Sequence, residues 1–567
     1  MNFSIKFLIN ILLIWLLATS ISNANSNSGD YLSAIHADRT NDFLSASKFY
    51  SRSLKNDPSN VMLLRGAIRS NIYFGNFSDA IYYSEKLNKF KKVEENGTVT
   101  SLLTLTNKIK NAEYNQAKKL LHQQSKFNLF LTAMLTGWLE IGSGNIKKGL
   151  KYFNESENAK KLGAISQNHL ALALAMMGDF EKADVILSDV TNGSNLLDRG
   201  SIIAHAQIMA QIGKNQDAVD LLDKFLIGTD DKEIYNLRRS IDAGAPIKYN
   251  YITSPNQGAA LALYTIANAV HNENDYALSL VYSRLASHID PKNIENVLLI
   301  SDNLVNLRQY DLAIKNYKNV PITHGKFKNA EIGRANALYY QGKETTSIEV
   351  LKTLAKNNPE DIELKTTLGN SLRRSSQFLE ASKIYSEAIS LIEKKELTSW
   401  FEYYAKGICN ERLGNWTIAE FNFRKAIKIR PNQPSLLNYF GYSLLEKGIH
   451  LDEALQLIER ALKGQPNDGY ITDSLGWALY RLEKYSEAVK YMERAVELMP
   501  LDPIINDHLG DVYWAVDRRV EAKFQWRRAL SFNPDKKDLE RILKKLDVGL
   551  DTVLLSEQKM KTSSNED

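Results

Sequence analysis

A repeat with a period of 34 residues constrains the fold of this chain more than any other feature of its sequence. The stretch DSLGWALYRLEKYSEAVKYMERAVELMP occupies residues 473–500, and residues 507–534 repeat its pattern as DHLGDVYWAVDRRVEAKFQWRRALSFNP. Self-similarity at a period of roughly 20 to 50 residues is typical of proteins that stack small structural units into a solenoid. The sequence therefore predicts an array of such units.

The repeat can be followed along nearly the whole chain by one small residue near its middle. About fourteen repeats fit between roughly residues 30 and 535, and they match less well in the N-terminal half. The small residues are, in order, Ala46, Ala80, Ala117, Gly149, Ala183, Ala218, Ser279, Ala313, Ser347, Ala381, Ala419, Ala454, Ala488 and Ala522. From Ser347 onward they follow one another in steps of 34, 38, 35, 34 and 34 residues.

Each repeat is expected to be a pair of antiparallel helices. In the first quoted stretch, Leu475 and Leu479 share one face of a helix, and a second apolar stripe follows after a short polar turn. Gly476 and Ala488 have little or no side chain, so the two helices can approach closely. Pro500 lacks an amide hydrogen and ends the unit. Because one pair leaves apolar surface exposed on both sides, only stacking on neighbouring pairs buries it.

The small residues and prolines together resemble the tetratricopeptide repeat (TPR), whose signature combines an aromatic residue, Leu-Gly, Ala and a closing Pro. The matching positions are Gly369, Gly407, Gly441, Gly476 and Gly510 in the first helices, Ala388, Ala426, Ala461, Ala495 and Ala529 in the second helices, and Pro359, Pro431, Pro466, Pro500 and Pro534 at the ends. The resemblance implies an all-α fold, a TPR α-solenoid in which antiparallel helix pairs form a right-handed superhelix. The C-terminal repeats also resemble those of large exported TPR proteins of alphaproteobacterial envelopes.

An interruption near the middle of the chain predicts two blocks of repeats. The step from Ala218 to Ser279 is 61 residues, and the intervening RRSIDAGAPIKYNYITSPNQGAA has no helical period. A further amphipathic segment after Pro534 is expected to cap the last repeat. The predicted organisation is an N-terminal degenerate repeat block at 25–224, an irregular connector at 225–257, a C-terminal repeat block at 258–535, a capping helix at 536–550 and a disordered tail at 551–567.

The first residues predict export. Lys6 precedes an uncharged, mostly apolar run, and Ser22 and Ala24 are small residues spaced for a signal-peptidase cut. The expectation is a signal peptide at residues 1–24, cleaved after Ala24, and a location in the periplasm. The alternative is that the segment stays uncleaved as an inner-membrane anchor, although the apolar run is shorter than the ~20 residues of a typical membrane span.

The composition argues against several function classes. Lys and Arg total 71 against 66 Asp and Glu, a balance of +5 that is spread along the chain and does not favour a nucleic-acid partner. Cys409 is the only cysteine, so an internal disulfide or a cysteine-based metal site is excluded. The sequence holds no HExxH, GxSxG or phosphate-loop motif. It therefore predicts no enzymatic activity, no cofactor and no metal.

The TPR resemblance also implies which residues face a ligand. In the family, groove-facing positions lie six and three residues before the first-helix glycine and one, four and five residues after it. Carried over one repeat at a time, these positions give a candidate protein-binding groove of Asn370, Arg373, Arg374, Tyr404, Arg412, Asn438, Tyr442, Tyr470, Asp473, Trp477, Tyr480, Arg481, Asp507, Asp511 and Trp514.

The content of this groove favours protein binding, because aromatic residues and Arg dominate protein interfaces. The alternative for each aromatic residue is packing against the adjacent repeat. Asp507 and Asp511 lie one turn apart and are expected to form a solvated or partner-facing acidic patch, and His508 beside them is expected to be solvated or to cap a helix. No Lys occupies the position that a carboxylate-capturing groove would need, so capture of a chain end by its carboxylate is disfavoured.

These observations predict a non-catalytic periplasmic TPR scaffold or adaptor that binds a peptide or helix of an envelope protein in its concave groove. One alternative is a membrane-anchored assembly factor with an uncleaved N-terminal segment. Another is a subunit that presents protein substrates to a glycosyltransferase-type enzyme. The last is disfavoured because no stretch of the chain is long enough for an additional domain of alternating strands and helices.

Overall fold

A computed structural model of the protein describes residues 29–90, 97–123, 127, 129–154, 163–193, 198–227 and 231–563. The regular secondary structure of these residues is helical throughout, which confirms the all-α prediction. The chain divides into two compact units, unit 1 ending at Val350 and unit 2 beginning at Leu351. No helix in the described ranges combines the length and the apolar character needed to cross a membrane. The predicted signal peptide, residues 1–24, lies outside the described residues.

Unit 1 contains the N-terminal helices. Their bounds are α1 (residues 29–39), α2 (Phe43–Asn56), α3 (Val61–Phe74), α4 (Phe77–Phe90), α5 (Thr98–Lys110), α6 (Tyr114–Gln123), α7 (Leu129–Gly142), α8 (Ile146–Asn154), α9 (Gly163–Met176), α10 (Phe180–Gly193), α11 (Arg199–Gln211), α12 (Asn215–Leu226), α13 (Lys232–Asp242), α14 (Pro255–Asn272), α15 (Tyr276–Ile289), α16 (Ile294–Asn306), α17 (Tyr310–Tyr317) and α18 (Phe327–Tyr340). Helix α19 (Glu344–Asn357) includes the residues at which unit 1 ends and unit 2 begins.

Unit 2 contains the remaining helices. Their bounds are α20 (Ile362–Arg374), α21 (Phe378–Lys394), α22 (Phe401–Arg412), α23 (Trp416–Ile429), α24 (Pro434–Lys447), α25 (Leu451–Gly464), α26 (Gly469–Arg481), α27 (Tyr485–Leu498), α28 (Pro503–Ala515), α29 (Arg519–Ser531), α30 (Lys536–Val548) and α31 (Leu550–Ser563). In this unit the first helix of each repeat is α20, α22, α24, α26 or α28.

The described helices form fourteen repeat hairpins, which are α1–α2 to α11–α12 and α14–α15 to α28–α29. Each of the fourteen small residues that define the repeat in the sequence lies in the second helix of its hairpin and is buried. The predicted register is therefore confirmed over both units. It could be predicted because a side chain larger than Ala or Ser at this point would separate the two helices.

Glycines in the first helices allow a large side chain of the second helix to fit between the helices. A Cβ atom added to Gly510 would lie 2.4 Å from Cδ1 of the fully buried Trp526. The same addition at Gly476 would lie 2.8 Å from Cγ of Met492. Gly476 therefore leaves space for the bulky side chain of the second helix, which fills the core of the hairpin.

The segment predicted as an irregular connector contains a helix. Within 225–257, α13 begins at Lys232, and the Asp231 carboxylate caps it by accepting hydrogen bonds from the amides of Glu233 and Ile234. Ile234 and Ile241 bury their side chains in an apolar cluster with α11 and α12. Residues 243–254 lack regular structure. The sequence reading missed α13 because it is short and precedes a stretch rich in Gly, Pro and β-branched residues.

The expected division at the connector also differs from the structure, because helices from both sides of it belong to unit 1. Helix α14 packs against α7, and α15 packs against α3 and α5. Gly258 of α14 lies so close to Trp138 of α7 that an added Cβ would be 2.2 Å from the indole ring. Arg284 of α15 donates a hydrogen bond from Nε to the Tyr73 carbonyl oxygen at 3.2 Å. The residues at 243–254 let the chain return so that α14 and α15 cover first helices of the N-terminal repeats.

The C-terminal end differs from the expected cap and disordered tail. Helix α30 ends at Val548, Gly549 adopts a φ of +81°, and α31 continues to Ser563 through most of the segment predicted to be disordered. Leu550 and Val553 of α31 are buried. Disorder was predicted because the last residues of the chain are polar. The apolar residues that pack α31 against the protein lie just before them. Residues 564–567 lie outside the described residues.

Candidate functional site

Unit 2 encloses a cavity of about 680 Å³ where the first helices α24, α26 and α28 meet the two C-terminal helices, and we name it the C-terminal pocket. Its volume is within the range of roughly 300–1,000 Å³ that is usual for ligand sites. One wall is aromatic and comes from the repeats, with Tyr442, Trp477 and Tyr480. The two C-terminal helices line the remainder with Leu554 and the almost fully buried Ile542, together with several polar and charged residues.

The aromatic wall is held together by stacking. The Trp477 ring lies parallel to Tyr480 on its own helix, with centroids 4.8 Å apart and planes at 17°. It also stacks on His508 of α28 at 4.1 Å and 14°. Its indole Nε1–H donates a hydrogen bond to Glu446 Oε1 at 3.2 Å. Trp477 is therefore fixed by three neighbours before any ligand arrives.

Asp473 holds the imidazole of His508 within this wall. Its Nδ1 lies 3.1 Å from Oδ1 of Asp473, and only 12% of its side chain is exposed. Burial opposes protonation, but the charge and hydrogen bond of Asp473, together with Asp507 and Asp511, raise the pKa of the imidazole above its usual value. The solvated role expected for His508 is wrong, because its ring is enclosed between Trp477 and Asp473.

A buried lysine forms the contact between α30 and the last repeat. Lys545 Nζ lies 2.7 Å from Oδ2 of Asp507 and 2.7 Å from Oδ1 of Asp511, and its side chain has no exposed area. Trp526 adds a hydrogen bond from Nε1 to Asp511 Oδ1 at 2.9 Å. Burial and the neighbouring Asp511 carboxylate raise the pKa of Asp507, although Lys545 opposes this rise. The predicted solvated acidic patch at Asp507 and Asp511 is therefore wrong, since both carboxylates are buried by their own chain.

Helix α31 adds two further contacts. Arg541 of α30 donates from Nε to Glu557 Oε1 at 2.9 Å and also lies 3.3 Å from Asp511 Oδ2. Trp514 of α28 donates from Nε1 to Asp551 Oδ2 at 3.0 Å. Trp514 was predicted to face the open groove, whereas its indole is partly buried and bonds to α31.

The structure brings five of the fifteen predicted binding residues into the C-terminal pocket, namely Tyr442, Trp477, Tyr480, Arg481 and Asp507. Asp473, Asp511 and Trp514 lie directly behind or beside it and bond to residues of the same chain, as described above. Tyr470 is 55% exposed and does not line the pocket. The remaining six lie outside the pocket lining, on the first helices α20, α22 and α24, and are Asn370, Arg373, Arg374, Tyr404, Arg412 and Asn438.

Residues of these earlier repeats also bond within the chain. The Tyr385 hydroxyl donates to Asn370 Oδ1 at 2.8 Å. Tyr404 meets Tyr439 edge to face, with centroids 5.8 Å apart. Asn438 Oδ1 is buried and has no hydrogen-bond partner within the described ranges. The sequence register thus placed these residues on the first helices correctly. Whether they are available to a ligand depends on neighbouring residues that the register does not show.

Sequence reasoning did not find Ile542, Leu554 and Glu557 as pocket residues. The repeat register ends at Pro534, so it contains no information about where later residues pack. One signal was present: Arg541 and Lys545 have the same i, i+4 spacing as Asp507 and Asp511. Complementary charges at equal helical spacing can pair across two packed helices.

Unit 1 contains a smaller cavity of about 360 Å³ beside a partly buried ion cluster. Arg199 contributes donors to Asp231 at 3.0 Å, Glu233 at 2.6 Å and Glu295 at 3.2 Å. These contacts tie α11 to α13 and α16, so the cluster has a structural explanation. Across the described part of the chain, no group of three or more His, Cys, Asp or Glu side chains is arranged to hold a metal ion.

Comparisons with known proteins agree with the repeat architecture. The tetratricopeptide repeat family profile matches residues 473–502. A TPR repeat-containing protein of Pseudomonas aeruginosa is 32% identical over 84 residues, which is 15% of this chain and only 14% of the length of that relative.

Solved structures of low sequence identity give further matches. The APC/C hetero-tetramer Cut9–Hcn1 covers 92% of this chain and 96% of its own, with 14% identity and a TM-score of 0.37. YrrB, a TPR protein with an unusual peptide-binding site, covers 35% of this chain and 99% of its own, with 20% identity and a TM-score of 0.28.

Repeats of this family typically bind protein or peptide partners, and they are generally scaffolds without catalytic activity. The fold therefore indicates a protein-interaction scaffold. From the 34-residue register, the fourteen buried small positions and the profile match at residues 473–502, we conclude that the chain contains a tetratricopeptide repeat within an array of helix pairs of the same register.

Proposed function

We propose that this protein is a non-catalytic scaffold that holds a segment of a partner protein in the C-terminal pocket of unit 2. The observation that carries the proposal is the preformed aromatic wall of Tyr442, Trp477 and Tyr480 in a cavity of about 680 Å³. A wall that is already stacked loses little side-chain freedom when a ligand binds. The favoured ligand is a segment that presents a large apolar side chain to these rings.

The charges around the pocket support a polypeptide ligand over a strongly charged one. Arg481 lies 3.6 Å from Glu446, and Arg541 is paired with Glu557. Because acids and bases alternate around the rim and neutralise each other, the pocket presents no strong field of one sign. Groups of both signs can instead hydrogen-bond the backbone and polar side chains of a bound segment.

We further propose that the protein acts in the periplasm of a Gram-negative envelope, with an envelope protein as its partner. The support is the sequence at residues 1–24 and the resemblance to exported TPR proteins of alphaproteobacterial envelopes. Determining the mature N-terminus tests the location: a chain beginning at Asn25 agrees with cleavage after Ala24, and a chain beginning at Met1 contradicts it.

Selection of binding peptides tests the pocket. A phage-displayed random peptide library is selected on the purified chain, and the affinity of a fluorescein-labelled selected peptide is measured for the variants Ile504→Arg and Leu501→Arg. Ile504 lines the pocket and is 48% exposed, while Leu501 is 69% exposed and lies outside the lining.

The two variants introduce the same side chain into the same region of the protein. We expect Ile504→Arg to weaken the peptide by at least about tenfold, because a charged side chain then occupies the apolar space. Leu501→Arg should have little effect. If no selected peptide is weakened by Ile504→Arg relative to Leu501→Arg, the pocket is not the binding site.

A further inference from the structure

The two C-terminal helices supply one complete side of the C-terminal pocket. Leu554 of α31 and the almost fully buried Ile542 of α30 belong to its lining. Arg541 and Glu557, from the same two helices, stand at its rim. A helix that only covers the end of a repeat array would need to bury apolar surface but would not need to line a cavity.

A buried ion cluster attaches the hairpin α30–α31 to the last repeat. Lys545 is fully buried against the carboxylates of Asp507 and Asp511. Detaching the hairpin would break both ion pairs and expose the buried side chains of Ile542, Leu550 and Val553 to water, which is unfavourable. The hairpin is therefore a packed element of unit 2.

The turn of the hairpin is also fitted to the repeat. Gly549 has a φ of +81°, a conformation that favours glycine. A Cβ atom there would lie 2.7 Å from Cζ2 of Trp514, so only glycine allows this contact. Trp514 additionally donates to Asp551 at the start of α31. These contacts fix the direction in which α31 leaves the turn and so place Leu554 at the pocket.

We propose that the C-terminal hairpin is part of the binding site, and that Leu554 contacts the apolar side chain of the partner segment bound against Trp477. This inference rests on the proposed function and extends it by naming a residue outside the repeats that determines specificity. The ligand is a polypeptide segment with a bulky aliphatic or aromatic side chain. That side chain lies against the aromatic wall and contacts Leu554.

The experiment compares two adjacent leucines of α31, using the fluorescein-labelled peptide selected on the purified chain. Leu554 lines the pocket, whereas Leu555 is 59% exposed and lies outside the lining. We expect Leu554→Ala to weaken the peptide by about tenfold, because it removes apolar contact area, and Leu555→Ala to leave the affinity within about twofold.

A second variant separates loss of contact from loss of the hairpin. Leu554→Trp adds bulk to the pocket and does not reduce the apolar surface of α31, so it should also weaken the peptide by filling the space that the peptide needs. Resistance of the Lys544–Lys545 region to limited trypsin digestion reports whether the hairpin remains docked in each variant.

Two results overturn the inference while leaving the proposed function intact. If Ile504→Arg weakens the peptide but both Leu554 variants bind it as the unchanged chain does, the hairpin is only a cap. If Leu554→Ala, or a chain ending at Val548, binds the peptide more tightly, α31 competes with the ligand. If Ile504→Arg has no effect, the proposed function fails and this inference fails with it.

Discussion

Lys545 lies between Asp507 and Asp511 with its ammonium nitrogen 2.7 Å from a carboxylate oxygen of each, and no part of its side chain reaches solvent. The contact joins the C-terminal hairpin to the last repeat. A buried ion pair is weak support for stability in itself, but removing one partner leaves the other charges uncompensated. The main effect of this ion cluster on stability is therefore expected when one of its three residues is replaced.

The first prediction concerns this buried lysine. Lys545→Met should destabilise unit 2 by about 3–5 kcal/mol, because Asp507 and Asp511 lose their shared cation in a buried site. Urea unfolding followed by tryptophan fluorescence measures the change. The control is Lys544→Met at the neighbouring exposed residue, which should change stability by less than about 0.5 kcal/mol. Equal effects of the two substitutions would contradict the buried contact.

The second prediction concerns the protonation of His508. Asp473 bonds to its ring and raises the pKa above the usual value, while burial opposes the rise. An NMR titration of the chain carrying carbon-13-labelled histidine should show His508 titrating above about pH 6.5. In Asp473→Asn the hydrogen-bonded charge is lost, so the pKa of His508 should fall. An unchanged His508 pKa in that variant would show that Asp473 does not stabilise the protonated imidazole.

The third prediction concerns acid sensitivity of unit 1. His169 is fully buried and accepts a hydrogen bond from Trp138 Nε1 at 3.1 Å, and burial lowers its pKa to about 4. The folded pKa lies below that of the unfolded chain. The stability that neutral His169 contributes is thus present above about pH 6.5 and is lost as the pH falls towards 4.

A matched pair of substitutions tests this direction of the pH dependence of stability. His169→Gln removes the titrating group, so the pH dependence of the unfolding free energy between about pH 7 and 4 should decrease by up to about 3 kcal/mol relative to the unchanged chain. The matched control is His122→Gln, at an exposed position of α6. A His169→Gln curve parallel to that of the unchanged chain would refute the prediction.

The fourth prediction concerns the packing inside a hairpin. Gly510→Ala places a methyl group 2.4 Å from a ring atom of Trp526, which is fully buried and hydrogen-bonded to Asp511. Overpacking of this kind should lower stability by about 1–3 kcal/mol. Thermal unfolding measures it against Gly163→Ala, where nothing lies within 4 Å of the added atom. If both substitutions are tolerated equally, α28 and α29 are not packed as closely as the structure shows.

The fifth prediction concerns Cys409, the single cysteine of the chain. It is fully buried in α22, and burial raises the pKa of its thiol to about 11. The folded protein should therefore resist a disulfide reagent at about pH 8, because both access and the thiolate form are suppressed. In urea the thiol should react fully. Rapid labelling of the folded chain, at the rate of a free thiol, would contradict this burial.

The repeat architecture could be predicted in detail from the sequence. The fourteen small residues from Ala46 to Ala522 all lie in second helices and are buried, since the geometry of a helix pair restricts the size of that residue directly. The same register placed Tyr442, Trp477 and Tyr480 on first helices, and these three residues form the aromatic wall of the C-terminal pocket.

The register could not show which of these residues would remain available to a ligand. Asp507, Asp511 and Trp514 occupy groove positions by their spacing, yet Lys545 and Asp551 from the C-terminal hairpin bond to them. A contact between residues about 40 apart depends on how α30 and α31 fold back, and no local pattern specifies that direction. The helix α13 and the packing of α14 on α7 were missed for the same reason.

The amino-acid sequence by itself determined the helix pairs, their register and the faces that must be buried, because these depend on side-chain size and spacing within about 34 residues. The tertiary structure alone decided that α14 and α15 cover the first helices of the N-terminal repeats and that α30 and α31 complete a pocket. Both outcomes bring together residues that are distant in the chain. Complementary shape and charge across two folded surfaces decide them, and this complementarity exists only after the helices have formed.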